Sequence, residues 1–111
     1  MIEQQPDKDI LDYIAAQTGD AALTQQIQQA EVSRRDYTRT GLFVYFEPNA
    51  GAAAVAQGVR PVSARLDAPE LMDGAGCDLF LRDGRLHYLE VYARGGFLPE
   101  NLQDYRLGPD N

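Results

Sequence analysis

The chain has 111 residues, 44% hydrophobic and 24% charged, with a formal net charge of −7. That is enough apolar material for one core and too short a chain for two, so residues 1–111 read as a single domain. One cysteine and one histidine exclude an intrachain disulfide and a Cys/His zinc site, and an acidic field disfavours nucleic acid as a partner.

The opening segment, MIEQQPDKDI, lacks a basic stretch followed by an apolar one, so it does not read as a secretory signal. No apolar run approaches the roughly 20 residues of a membrane span. The expected location is therefore the cytoplasm, with no membrane contact. Acidic residues dominate the ends of the chain, whereas residues 32–46 carry Arg34, Arg35 and Arg39 against Asp36. Such a field favours a basic protein as partner and speeds its approach. The plainer account is that the charge keeps a small protein soluble.

Asp7 to Gln17 reads as a helix, with Ile10, Leu11 and Ile14 at helical spacing and Pro6 suited to its start. Gly19 can end it, and Asp20 can cap a second helix over residues 21–33. There Leu23, Ile27 and Ala30 form the apolar stripe. From Tyr37 to Glu47 the period changes to two. Leu42, Val44 and Phe46 share one face of this strand, and Phe43 and Tyr45 share the other. Both faces are apolar, which predicts an interior strand partly covered on each side.

Residues 48–58 are small and weakly specifying, and read as a loop. Val59 to Asp67 reads as a strand that Pro61 places at an edge or an early position. Asp83-Gly84 is the clearest local signal, a two-residue hairpin turn. Strict alternation from that turn pairs Phe80 with His87, Asp78 with Leu89 and Cys77 with Glu90. Gly95-Gly96 marks a further loop, and LQDYRL a final strand. The expected fold is α+β: two N-terminal helices packed on one face of a mostly antiparallel sheet of about four to five strands.

Five residues stand out as candidates for binding: Glu90, Tyr92, His87, Tyr88 and Asp78. Glu90 interrupts an apolar strand, and a buried carboxylate is costly unless it is paired or hydrogen-bonded. The competing reading is an edge glutamate, or one paired with Arg94 or Arg65. His87 and Asp78 can form a base pair for proton transfer, but no G-x-S-x-G elbow supplies a nucleophile, and Cys77 points away from His87. Cys77 reads as a small buried hydrophobe. The glycine clusters match neither nucleotide loop, and the acids lack calcium-loop spacing, so no cofactor, metal or catalytic residue is assigned. The tyrosines at 37, 45, 88, 92 and 105 suit an interface or the rim of a core equally.

One pattern spans residues 37–107. Tyr37-Thr38-Arg39-Thr40-Gly41-Leu42-Phe43 enters an aromatic strand. Gly74-Ala75-Gly76-Cys77 then leads through Leu79-Phe80-Leu81 to Asp83-Gly84, followed by Tyr88-Leu89-Glu90 and Leu98-Pro99. This resembles a family of small uncharacterised bacterial proteins discussed as immunity proteins or as orphan members of toxin loci. Val91-Tyr92 stands here where that family often has a Gly-Tyr step. The resemblance implies a protein-binding module whose partner is a basic toxin domain, and it assigns no catalytic residue. The alternatives are a homodimeric accessory protein paired through a strand edge, and a small-ligand binder or enzyme with a pocket near Glu90 and His87.

Overall fold

A computed structural model describes residues 5–110; the first residues of the opening segment, read above for a leader, lie outside it. Two helices, α1 (Gln5–Thr18) and α2 (Ala21–Gln28), precede six strands. These are β1 (Val32–Tyr37), β2 (Gly41–Phe46), β3 (Ala64–Asp67), β4 (Ala75–Arg82), β5 (Arg85–Ala93) and β6 (Arg106–Pro109). They form one sheet in the order β1-β2-β5-β4-β3-β6, and every neighbouring pair is antiparallel. The sheet has six strands rather than the four to five expected.

Ile10, Leu11, Ile14 and Ala15 of α1 and Leu23 and Ile27 of α2 are buried against the sheet. Facing them are Leu42 and Val44 of β2, Leu66 of β3, Cys77 and Leu79 of β4, and Leu89 and Val91 of β5. Each fully buried Leu or Ile contributes about 1.5–3 kcal/mol. Asp20 caps α2 as expected, its carboxylate accepting the Leu23 N–H at 2.9 Å. Asp7, 1% exposed, accepts from Arg35 of β1 at 2.9 Å and ties the first turn of α1 to the edge of the sheet. Burial pushes the Asp7 carboxyl above its ordinary range, against the pull of the Arg35 guanidinium.

The additional strand is β1. The second helix ends at Gln28 rather than near residue 33, because the chain from Glu31 onward pairs with the end of β2. Glu47 N–H donates to Glu31 O, and Val32 faces Phe46. Thr38, Arg39 and Thr40 turn the chain between β1 and β2, with Arg39 at φ 72°, so the expected strand from Tyr37 to Glu47 is interrupted at its start. Pro61 does not mark an edge: β3 begins only at Ala64 and lies between β4 and β6. The final strand lies a few residues later than LQDYRL, at Arg106–Pro109.

Asp83 and Gly84 have φ 52° and 75°, the paired left-handed residues of a type I′ turn. The strict register fails just beyond it. Phe80 faces Tyr88, not His87, so Asp78 faces Glu90 and Cys77 faces Val91. His87 is the extra residue of a bulge. The cause is the spacing of apolar side chains: Leu86, Leu89 and Val91 all join the core, and Leu86 and Leu89 are an odd number of residues apart. Strict alternation would put one of them in water.

Candidate functional site

Both helices, the loop before β3 and the segment after β5 fasten to one side of the sheet. Thr18 of α1 accepts the Val62 N–H, Gln26 of α2 donates to Ala53 O, and Tyr105 donates to Asp9 of α1. Among the described residues no helix or loop covers the opposite face. That bare face is built from alternate residues of the strands and forms a lattice of three rows.

The first row runs Arg34, Tyr45, Tyr88, Phe80 across β1, β2, β5 and β4. Its rings are in contact: Phe80 and Tyr88 stack at 4.6 Å between centroids, and Tyr45 and Tyr88 lie at 5.7 Å. The Arg34 guanidinium sits over Tyr45 at 4.4 Å. Phe80 is 38% exposed. The second row runs Asp36, Phe43, Glu90, Asp78. Ser63 Oγ donates to the Asp78 carboxylate at 2.5 Å. In the third row Tyr92 lies across Gly76; a Cβ at Gly76 would strike its ring and displace it.

Tyr92 links the acidic row to the C-terminal end. Its hydroxyl accepts from Arg94 at 3.3 Å, and Arg94 pairs with Asp110 at 2.6 Å. The Arg94 hydrogen bond pulls the Tyr92 phenol down, but burial and the Asp78 carboxylate together hold it above its ordinary value.

The five sequence candidates are brought together only in part. Glu90, Asp78, Tyr88 and Tyr92 share the bare face. His87 sits at the hairpin end, with Tyr88 and Tyr45 as ring neighbours at 5.0 and 6.5 Å. Asp78 is held by Ser63, so the structure favours the plainer reading of His87 as a partly exposed strand residue over a His–Asp pair. Glu90 is neither an edge residue nor paired with Arg65 or Arg94; those arginines are bound to Asp67 and Asp110. Cys77 is fully buried on the helix side, and burial pushes its thiol up to about 12.

Phe43, Phe80 and Arg34 belong to the same surface and were not among the sequence candidates, and Tyr45 was weighed only with the other tyrosines. The signal was present: two short helices cover one face of a sheet, and β2 is apolar on both. The five tyrosines also divide. Tyr45, Tyr88 and Tyr92 present rings on the bare face. Tyr37 and Tyr105 spend their hydroxyls on Leu98 O and Asp9.

Among the described residues no cluster of His, Cys, Asp and Glu has the geometry to hold a metal ion, and no helix is long and apolar enough to cross a membrane. Comparison of the chain with protein-family models, with curated proteins and with solved structures gives no match.

Proposed function

We propose that this protein is a small acidic binding module that docks a basic protein on the bare face of its sheet. The observation that carries the reading is the middle of that face, where the aromatic row borders Glu90 and Asp78, carboxylates that have no cation partner among the described residues. Tyrosine and phenylalanine give contact area at low entropic cost, and aromatic side chains anchor interfaces. Carboxylates beside them that lose water as a partner docks select lysine or arginine. The net charge of −7 supports the same sign of partner.

An immunity-type role falls within this reading, because a toxin domain that cuts nucleic acid carries a basic surface. Pairing of two copies through a strand edge has less support. The edge strand β1 carries Arg34 and Arg35 and a register shift, and β6 is four residues long with Pro109; such features blunt an edge. A small-ligand site at Glu90 and His87 has less support too. The open hollows at His87 and at Asp78 are separate, and Glu90 lines neither.

The test is affinity capture of the tagged protein from its source cells at low and high salt, read by mass spectrometry. The reading expects a basic protein in stoichiometric amount, lost at high salt. It also expects loss with Tyr88→Ala or Glu90→Lys and retention with Gln28→Lys on the exposed side of α2. Loss with Gln28→Lys and retention with both sheet-face variants would move the interface to the helices.

A further inference from the structure

The central strand β4 is paired along its whole length on one side and for less than half its length on the other. β5 accompanies it from Ala75 to Arg82, but β3 faces only Ala75, Gly76 and Cys77. The reason lies in the chain before β3. Continuing its register would bring Val62 opposite Leu79 and Pro61 opposite Phe80. Val62 gives its N–H to Thr18 Oγ1 at 3.0 Å, and Pro61 has none to give. The chain therefore peels away and is fastened again at the hairpin turn, where Val55 N–H donates to Gly84 O at 2.8 Å. Between these two anchors it frames a groove of about 850 Å³. Val55, Val59 and Pro61 line one wall, and Leu79, Phe80 and Leu81 the other.

Which backbone groups of β4 face the groove follows from the sheet itself. Ala93 N–H donates to Thr40 O on the β2 side, and Arg94 N–H donates to Gly74 O on the β4 side. Alternation then directs Tyr92, Glu90 and Tyr88 toward β4, and their partners Gly76, Asp78 and Phe80 toward β5. Ala75, Cys77, Leu79 and Leu81 are left pointing the other way. Leu66 and Ala64 of β3 meet the first two. Among the described residues nothing bonds the N–H and C=O of Leu79 and Leu81 on that side.

We infer that this groove takes an extended segment of the partner protein as an added strand beside Leu79–Leu81. The inference rests on the protein-binding reading and names its mode. The chemistry that fits two donors and two acceptors at strand spacing is another polypeptide backbone, about four residues long. Alternate side chains of that segment fall into the apolar wall of Val55 and Val59. The one between them lies on the bare face beside Phe80 and Asp78. Asp78 and Asp83 on the groove, against Arg60, favour a lysine or arginine in the segment.

The probe is a random-peptide phage library selected on the wild-type protein, followed by amide hydrogen exchange with the enriched peptides. Peptides with alternating apolar and basic residues should slow exchange at Leu79 and Leu81 by more than about tenfold, while Cys77, already paired, changes little. Gln57→Trp, which fills the groove from its exposed wall, should weaken them about tenfold or more. Leu81→Pro, which removes a groove-facing donor together with a side chain at the margin of the core, should do the same, with Leu81→Ala as the control that keeps the donor. Peptides that bind but leave those two amides unchanged would overturn the added strand. If they perturb Tyr45 and Tyr88 instead, the bare face stands as a docking surface and the groove does not. Failure to enrich any peptide overturns the groove alone, since the face is tested separately by capture with Tyr88→Ala.

Discussion

Glu90 stands directly opposite Asp78 across β5 and β4, and both carboxylates lie on the face that the other described elements leave bare. Like charges in facing positions of an antiparallel pair destabilise the sheet. Among the described residues the ion pairs of the chain all lie elsewhere. Asp78 accepts from Ser63, but among the described residues nothing bonds the Glu90 carboxylate, so folding alone gives no reason to keep the second acid there. Glu90→Gln is therefore expected to raise stability by about 0.5 kcal/mol while weakening capture of a basic partner. Urea denaturation and pull-down on the same preparation check both. A variant that loses stability and keeps its partner would remove the argument for a binding role.

Asp7 and Arg35 hold α1 to the edge strand, and the carboxylate is the buried member. Arg35→Met leaves that carboxylate without its cation and should cost about 2–3 kcal/mol at neutral pH. The effect lies at the low end of such losses because Arg35 keeps 32% of its side chain in water. The deficit should depend on pH. The folded-state pKa of Asp7 is already above its ordinary value and rises further without Arg35, so the native state holds its proton longer than the unfolded chain. Stability must then fall as pH rises above the ordinary carboxylate range. Denaturation midpoints of the variant and wild type across that window should diverge upward in pH.

Cys77 lies beneath the sheet with its thiol held up to about 12 by burial and, secondarily, by the Asp78 and Asp110 charges. Thiolate is the reactive form. Iodoacetamide at about pH 8 should leave the native protein unmodified and alkylate it fully in denaturant. Rapid labelling under native conditions would mean that β4 opens or that Cys77 is not in the core.

Tyr105 donates to Asp9 across the interface between α1 and the C-terminal segment. Burial and that carboxylate hold its phenol up to about 12, against an ordinary 10.0. The proton is thus bound more tightly in the folded state. Its contribution is complete below pH 10.0 and is lost as pH climbs through about 12. Tyr105→Phe should be less stable than wild type at neutral pH, and the gap should close above the ordinary phenol range. A gap that is constant with pH would show that the hydroxyl matters only through packing.

The layered arrangement was legible because α1, α2 and β2 have clean periods and Asp83-Gly84 is a strong turn. β1 was hidden because Val32 to Tyr37 is largely polar. An edge strand exposed on most of its side chains carries no apolar alternation to read. The bulge at His87 was legible in principle, since Leu86, Leu89 and Val91 cannot all reach one face by strict alternation. Overlooking it joined Glu90 to Cys77 instead of Asp78, and so concealed the facing acids. The groove beside Leu79 depends on Thr18 intercepting Val62 from forty-four residues away, and no local pattern announces such a contact.

The buried amide of Gln26 donates to Ala53 O and Gly84 O and accepts from Leu86 N–H. Its partners lie 27, 58 and 60 residues along the chain. A carboxamide taken out of water has few substitutes for such partners, so α2 cannot settle until both the hairpin and the loop have arrived. A ribosome-bound chain lacking residues beyond the hairpin tip is expected to hold α2 less firmly, because Gln26 would lack the Leu86 N–H.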